Sequence, residues 1–402
     1  MPPTLEWLTD PVRSIFNLAW RIAPQFEAPG TLDRLMYAFD MVVLGSGGGP
    51  DETNLSGYLL KRYDASWNAG TIGLEAGSGM GALARILDKC PETFEHPSQS
   101  SSVSEHGIER RQFSACDIYA FIKCFLITHG HLDHISSLVL SAGSVGGPRK
   151  RIYGSLQTLR DIEGIFNGRL WPNLASWDES EDSSRLLYQS LAHEEGYQPI
   201  AENVSVLMMP LSHGSSGDTG EVYDSTAYFI RHDVCNQEFL FFGDVEPDSL
   251  SREPRNKRIW EKAAGKVGKS LHSIFIECSW PSSRSDETLY GHLNPQHLLA
   301  ELRVLAAEVV KHRLETSSLQ NLDCQRPAKR SRTDGSLPGR SDSLHHALRG
   351  MRIYLTHCKA RLDRFSPKPI HMEIADEVRA LVNMEDLGAE VIAVEQGMVI
   401  RI

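Results

Sequence analysis

Short apolar, β-branched runs recur along the chain, each closed by glycine or a polar residue. Such runs read as buried strands, and stretches whose apolar residues recur three and four apart read as helices. Strands are expected at Met41–Gly45, Ser56–Lys61, Thr71–Glu75, Phe121–Ile127, Val204–Leu211, Ser225–Arg231, Glu238–Phe242, Ser273–Glu277 and Met351–Leu355, with a closing pair at Val391–Val394 and Met398–Ile402. Helices are expected at Gly79–Lys89, Leu132–Leu140, Ser155–Phe166, Pro295–Arg313 and Glu373–Val382. Strands and helices in mixed order fit an α/β fold of two sheets sandwiched between helices.

Two stretches break the pattern. Pro97–Glu105 is rich in serine, and Thr316–His346 is rich in Ser, Arg, Asp and Gly with almost no apolar periodicity. Both read as surface insertions. The second contains the basic string Arg326-Pro327-Ala328-Lys329-Arg330-Ser331-Arg332, read as a solvated linker, with nuclear import as the alternative.

Composition narrows the setting. The 402 residues permit one large α/β domain, and 41% apolar content is ample for its core. No apolar run is long enough for a membrane span, and the first residues lack the basic-then-apolar order of a secretory leader. Seven cysteines, never spaced Cys-x-x-Cys, fit reduced thiols and a cytoplasmic protein. A net charge of −11 disfavours a nucleic-acid partner and leaves room for a small anionic substrate drawn to a local cation. A homodimer is compatible with all of this.

The chemistry is concentrated after the apolar run that ends at Ile127. There His129-Gly130-His131-Leu132-Asp133-His134 packs four ligand-type residues into one strand-to-helix loop. Two divalent cations share such a site readily, because neutral imidazoles suit zinc and a carboxylate balances charge. The competing reading, a polar loop whose histidines cap the helix, does not explain four ligand-type residues at this density. Further candidates sit where other strands end: His213 after Val204–Leu211, Asp244 after Glu238–Phe242, and His357 after Met351–Leu355. His292 precedes Asn294 and Pro295, a plausible N-cap and first helical residue, and so stands where a helix N-terminus can draw a phosphate. Gly77-Ser78-Gly79-Met80-Gly81-Ala82 matches the short form of a dinucleotide turn, but the serine-rich sequence that follows does not supply the second strand such a turn needs, so no dinucleotide cofactor is expected. Gly45-Ser46-Gly47-Gly48-Gly49 reads as a tight turn bringing backbone near the metal rim. Neither a Gly-x-Ser-x-Gly elbow nor a Walker-type loop is present.

The stretch His129-Gly130-His131-Leu132-Asp133-His134-Ile135-Ser136-Ser137-Leu138-Val139-Leu140-Ser141-Ala142 resembles the extended signature of the class II cyclic-nucleotide phosphodiesterases, within the metallo-β-lactamase fold superfamily. Supporting stretches are Phe39–Pro50, Asn54–Leu60, Ile276-Glu277-Cys278-Ser279 and Gly291-His292-Leu293. The resemblance implies a metallo-β-lactamase-like αββα sandwich of two mixed sheets over residues 38–402, after an extension at 1–37 and with insertions at 97–112 and 316–346. It implies that His129, His131 and His213 hold one metal, that Asp133, His134 and His357 hold the other, and that Asp244 bridges them. Zinc is the expected metal. Asp133 and His292 are the catalytic candidates, and His292 is expected to face the scissile phosphate. The implied reaction is hydrolysis of a 3′,5′-cyclic nucleotide, cyclic AMP above all, to the 5′-monophosphate by a hydroxide shared between the ions. Leu74-Glu75-Ala76-Gly77 departs from the superfamily, where aspartate is common, which leaves the role of Glu75 open. Three other readings stay open from sequence: an RNA 3′-processing endonuclease, a glyoxalase or lactonase, and a non-catalytic metal-bound scaffold.

Overall fold

The computed structural model describes residues 37–94, 113–144, 146–181, 183–215, 219–323, 344–362 and 368–402. Its strands in chain order are β1 (Phe39–Gly45), β2 (Gly57–Arg62), β3 (Thr71–Leu74), β4 (Ile122–Leu126), β5 (Lys150–Gly154), β6 (Ala175–Ser176), β7 (Leu186–Ser190) and β8 (Gln198–Ala201). They continue with β9 (Val204–Ser215), β10 (Val222–His232), β11 (Glu238–Phe242), β12 (Leu271–Glu277), β13 (Arg352–Thr356), β14 (Glu390–Ala393) and β15 (Val399–Arg401). The helices are α1 (Trp67–Gly70), α2 (Met80–Lys89), α3 (Ala115–Phe121), α4 (Leu132–Ser141), α5 (Leu156–Ile165), α6 (Asn256–Ala264), α7 (Pro295–Asp323) and α8 (Ile370–Met384).

The strands form an eight-stranded sheet, β15-β1-β2-β3-β4-β5-β7-β6, and a seven-stranded sheet, β14-β13-β12-β11-β10-β9-β8. Both are mixed. In the first, β15, β1, β2 and β3 pair antiparallel while β3, β4, β5 and β7 run parallel. In the second, β9, β10 and β11 form an antiparallel meander and β11 to β14 run parallel.

Alternation along the strands explains the layering. On β1 and β2, Met41, Val43, Tyr58 and Leu60 face the opposite sheet, where they meet Tyr228, Phe239 and Phe241. Their neighbours Val42, Leu44 and Leu59 point the other way, onto the cluster built with α2, α4 and α5. The outer face of the second sheet is covered by Trp260 of α6, Leu302 of α7 and Val378 of α8. With both faces of each sheet buried, the strands need no polar side, which is why they read as continuous apolar runs. The result is the expected αββα sandwich.

Several elements depart from the sequence expectation. The run from Phe121 divides: α3 ends at Phe121 and β4 starts at Ile122, because Ser114 and Asp117 form a reciprocal capping box that commits the preceding turns to helix. Helix α6 was not expected, although Ile259, Trp260, Ala263 and Ala264 line one buried face of it. The expected insertion at 316–346 is too wide. Helix α7 runs on to Asp323, with the hydroxyls of Thr316, Ser317 and Ser318 each donating to the carbonyl four residues back, so these weak helix formers stay satisfied in helical backbone. At the other end Leu344 packs on the core, and Ala347 and Leu348 are buried. Residues 324–343, including the basic string, lie outside the described residues, as do residues 1–36 of the expected extension at 1–37 and the insertion at 97–112. Among the described residues no helix is long and apolar enough to cross a membrane.

Candidate metal centre

The parallel strands β4, β11, β12 and β13 all end at one rim of the sandwich, the usual place for a ligand in an α/β sheet. After β4 the chain passes Ile127 and Thr128 and enters α4 at its N-cap, His131. That residue makes no side-chain cap bond, which sets aside the capping reading. Instead its Nδ1 lies 3.0 Å from His129 Nε2. Asp133 and His134 occupy the first turn, where a carboxylate also complements the helix dipole.

The other three candidates arrive from the second sheet. His213, on β9, points Nδ1 at the Gly291 carbonyl, 2.7 Å away, which places the N–H there and turns Nε2 toward Asp244. Asp244 follows β11 and is 1% exposed. Its Oδ2 lies 3.6 Å from His213 Nε2, 3.7 Å from His129 Nε2 and 3.2 Å from His357 Nε2, while Oδ1 lies 3.3 Å from His134 Nε2. His357 follows β13 with φ +58°, an uncommon left-handed conformation for a non-glycine residue. Its Nε2 is 3.1 Å from both Asp133 Oδ2 and His134 Nε2. A side chain on Gly48 would collide with the His357 ring, so the glycine turn does bring backbone to this rim. Gly77 packs against the Asp133 carbonyl and Gly79 against Ser137, which accounts for the other glycine cluster without a dinucleotide.

All seven expected residues thus converge. His129, His131, His213 and Asp244 offer ligand atoms within 4.8 Å of one another, as do Asp133, His134, His357 and Asp244, so Asp244 belongs to both groups. This donor set fits a pair of divalent cations. Ring nitrogens facing one another at 3.0 and 3.1 Å are close to the edge of a tetrahedron with metal–nitrogen bonds of about 2.0–2.1 Å. Burial lowers the pKa of His129, His131, His213 and His357, keeping their imidazoles in the neutral form that binds metal. Burial works against the Asp244 carboxylate, but the neighbouring His357 and His134 outweigh it and hold its pKa well below the usual range.

Glu75 lies behind this set. It sits fully buried after β3, accepts from the Thr128 N–H at 3.2 Å, and places Oε2 3.6 Å from His134 Nδ1. A carboxylate behind a ligating imidazole fixes its ring and raises its basicity. Consistent with this, Asp244 and Glu75 together overcome the effect of burial and raise the His134 pKa.

His292 lies against His213, ring centroids 4.8 Å apart, just before α7. Asn294 caps that helix as expected, accepting from the His297 N–H at 3.0 Å. The imidazole is not satisfied by backbone: its Nδ1 is 2.9 Å from Glu277 Oε1. Sequence reasoning gave Glu277 no role. It is buried at the end of β12, and its carboxylate also accepts from the N–H groups of Val245 at 2.8 Å and Leu293 at 3.3 Å and from Ser279 Oγ at 2.6 Å. Burial and the nearby Asp244 push the Glu277 pKa up to about 7, and burial pulls His292 down to about 4. Ser279 Oγ lies 3.0 Å from His357 Nδ1, so a hydrogen-bonded line runs from His357 through Ser279 and Glu277 to His292. Beside these residues opens a cleft of about 460 Å³ lined by His131, His213, Tyr223, Glu246, Tyr290 and His292. Tyr223 stacks on His131, rings 4.4 Å apart and 18° from parallel.

The geometry agrees with what the chain resembles. The family model of class-II cAMP phosphodiesterases matches residues 40–397. The 3′,5′-cyclic-nucleotide phosphodiesterase of Schizosaccharomyces pombe is 30% identical over 290 residues, 71% of this chain and 80% of that protein. The enzyme of the same name from Aliivibrio fischeri is 32% identical, over 67% of this chain and 76% of its own length. The crystal structure of unliganded yeast PDE1 superposes with a TM-score of 0.72 at 23% identity, covering 91% of this chain and all of that one, and so shares the fold. With most of its length matched by the family model, the chain belongs to the class-II cAMP phosphodiesterase family.

Proposed function

We propose that the protein hydrolyses the 3′ ester of 3′,5′-cyclic nucleotides, cyclic AMP first, to the 5′-monophosphate, with two zinc ions. The observation that carries the reading is Asp244, a buried carboxylate common to two sets of ligand atoms beside an open cleft. His129, His131 and His213 would hold one ion, Asp133, His134 and His357 the other, with Asp244 shared. A histidine-rich donor set favours zinc over magnesium. When bound, such a pair supplies Lewis acidity toward the phosphoryl oxygens and a water made acidic enough to attack phosphorus at neutral pH.

The chain's own groups do the rest. Asp244, common to both ligand sets, would offset the charge of the pair. Glu277 accepts from His292 Nδ1–H and orients the ring, so that Nε2 would take up the proton lost by the attacking water and pass it, as the imidazolium, to the departing 3′ oxygen. Glu75 and Ser279 orient His134 and His357.

An RNA 3′-processing activity would use the same metals. It is disfavoured by the net charge of −11 and by a cleft lined with Glu246 and Asp286 and with no Lys or Arg among the described residues. A cytoplasmic setting is supported by the six described cysteines, all free thiols. Purified protein assayed side by side on cyclic AMP, cyclic GMP, pre-transfer RNA and thioesters tests the reading; turnover confined to RNA or thioester would overturn it.

A further inference from the structure

Glu246 is without a partner. It is 9% exposed, and among the described residues no hydrogen bond or ion pair meets its carboxylate. Its backbone is clamped on both sides: the N–H donates to the Ser212 carbonyl at 2.9 Å, and the carbonyl accepts from Asn256 Nδ2 at 2.9 Å. Val245, between it and Asp244, is buried in the core under the helices, and Glu246 itself lines the cleft together with His213 and His292.

Its carboxylate lines the cleft and presents acceptor sites that no group among the described residues fills, so a hydrogen-bond donor on a bound ligand can take them. A carboxylate offers acceptors only, and so does the anionic cyclic phosphate, so the phosphate is not what Glu246 meets. Cyclic AMP carries two hydrogen-bond donors, the 2′-hydroxyl and the 6-amino group. The 2′-hydroxyl stands on the carbon next to the one bearing the scissile 3′ oxygen. Glu246 is two residues from Asp244, its N–H is bonded to the carbonyl of Ser212, the neighbour of His213, and it shares the cleft wall with His213 and His292, the side on which the phosphorus would sit in the proposed reaction. The cleft's other carboxylate, Asp286, is already engaged by His297 Nε2 at 2.8 Å.

Resting on the phosphodiesterase reading, we infer that Glu246 accepts a hydrogen bond from the ribose 2′-hydroxyl and so selects ribose over deoxyribose cyclic nucleotides. By anchoring that hydroxyl it holds the sugar carbon carrying the leaving oxygen in register with the attacking side. Glu246 is a specificity and positioning residue; the reacting atoms stay with the metal centre and His292.

The test compares kcat and KM on cyclic AMP, 2′-deoxy cyclic AMP and the cyclic phosphate of purine riboside, which lacks the 6-amino group, for wild type, Glu246→Gln and Glu246→Ala. A hydrogen bond to a charged acceptor predicts that wild type favours cyclic AMP over its 2′-deoxy form by roughly 10- to 100-fold in kcat/KM. In Glu246→Ala that ratio should fall to within about 2- to 3-fold of unity, and the isosteric Glu246→Gln should lie between. Calorimetric titration with 5′-AMP and 2′-deoxy-5′-AMP should show the same loss of discrimination without turnover. A ratio unchanged in both variants overturns the inference, as does a collapse confined to the 6-amino comparison. Wild type that hydrolyses no cyclic nucleotide would instead count against the proposed function.

Discussion

Replacing Glu277 with glutamine isolates what its charge does. The carboxylate takes four donors, His292 Nδ1 and the Val245 N–H at Oε1, Ser279 Oγ and the Leu293 N–H at Oε2. An amide oxygen left at the Oε1 position keeps the first two. The new NH2 then faces Ser279 Oγ, which can turn to accept because the His357 carbonyl stands 2.9 Å away to receive its proton. Only the Leu293 N–H loses its acceptor, and that contact is long at 3.3 Å, so the fold should lose about 1 kcal/mol. Catalysis should lose far more. An imidazole backed by an amide is no longer stabilised as imidazolium, and the contribution of a positioned acid, about 10²–10⁴-fold, is largely forfeited. The expected outcome is a kcat on cyclic AMP lowered by about 10²–10³-fold, with metal content by elemental analysis unchanged and Tm only slightly reduced. His292→Ala should fall as far, and the double variant should be little worse than either single one, since both changes remove one function. A cyclic substrate with a more acidic 3′ leaving group should recover part of the lost rate. A Glu277→Gln enzyme within a few-fold of wild type, or a double variant showing the product of the two separate losses, would refute the pairing.

Protein purified without chelator should carry close to two divalent ions per chain, and Asp244→Ala should lower that content and abolish turnover, since two cations would then repel across a short gap; normal metal and rate in the variant would remove Asp244 from the centre. Bridging 324–343 with a short Gly/Ser linker should leave kcat within a few-fold, whereas deleting 316–346 should reduce soluble yield because it also takes the last turns of α7 and the core contact of Leu344. Lys150 is buried, its Nζ bonded to the Ile122 carbonyl at 2.7 Å, and burial pushes its pKa from 10.5 down to about 8. Between those values the unfolded chain binds more protons than the folded one, so wild type should gain stability relative to Lys150→Met as pH rises from about 8 toward 10.5, read as the difference in urea midpoints. A difference that stays flat across that range would show that the lysine is not penalised by burial.

The proposed ligand residues were legible because their chemistry is local: four lie within six positions after β4, and the other three close apolar runs. The carboxylates behind them were not. Glu277 follows Ile276 like any polar residue at a strand end, and its value comes from His292, fifteen positions away. Glu75 works through Thr128, 53 positions away, and Glu246 through the cleft it lines. Pairings of that kind depend on which strands become neighbours, and periodicity does not carry it. The αββα layering was readable because both faces of each sheet are buried. The end of α7 was not, since Thr316, Ser317 and Ser318 look like loop residues until their hydroxyls are seen folded back on the helix.

The seven converging side chains come from both sheets, four from the loop after β4 and three from the ends of β9, β11 and β13. No stretch of nascent chain therefore holds the first proposed ion pocket complete until Asp244, after β11 of the second sheet, has been made. The pocket shared by Asp133 and His134 must wait for His357, near the C-terminus of the chain. Acquisition of the proposed metal complement would thus be a late step in biosynthesis, following the docking of one sheet on the other. In a cell this ordering would keep unfinished copies from degrading a second messenger, and would make the ion content of a preparation a gauge of how many molecules have completed assembly.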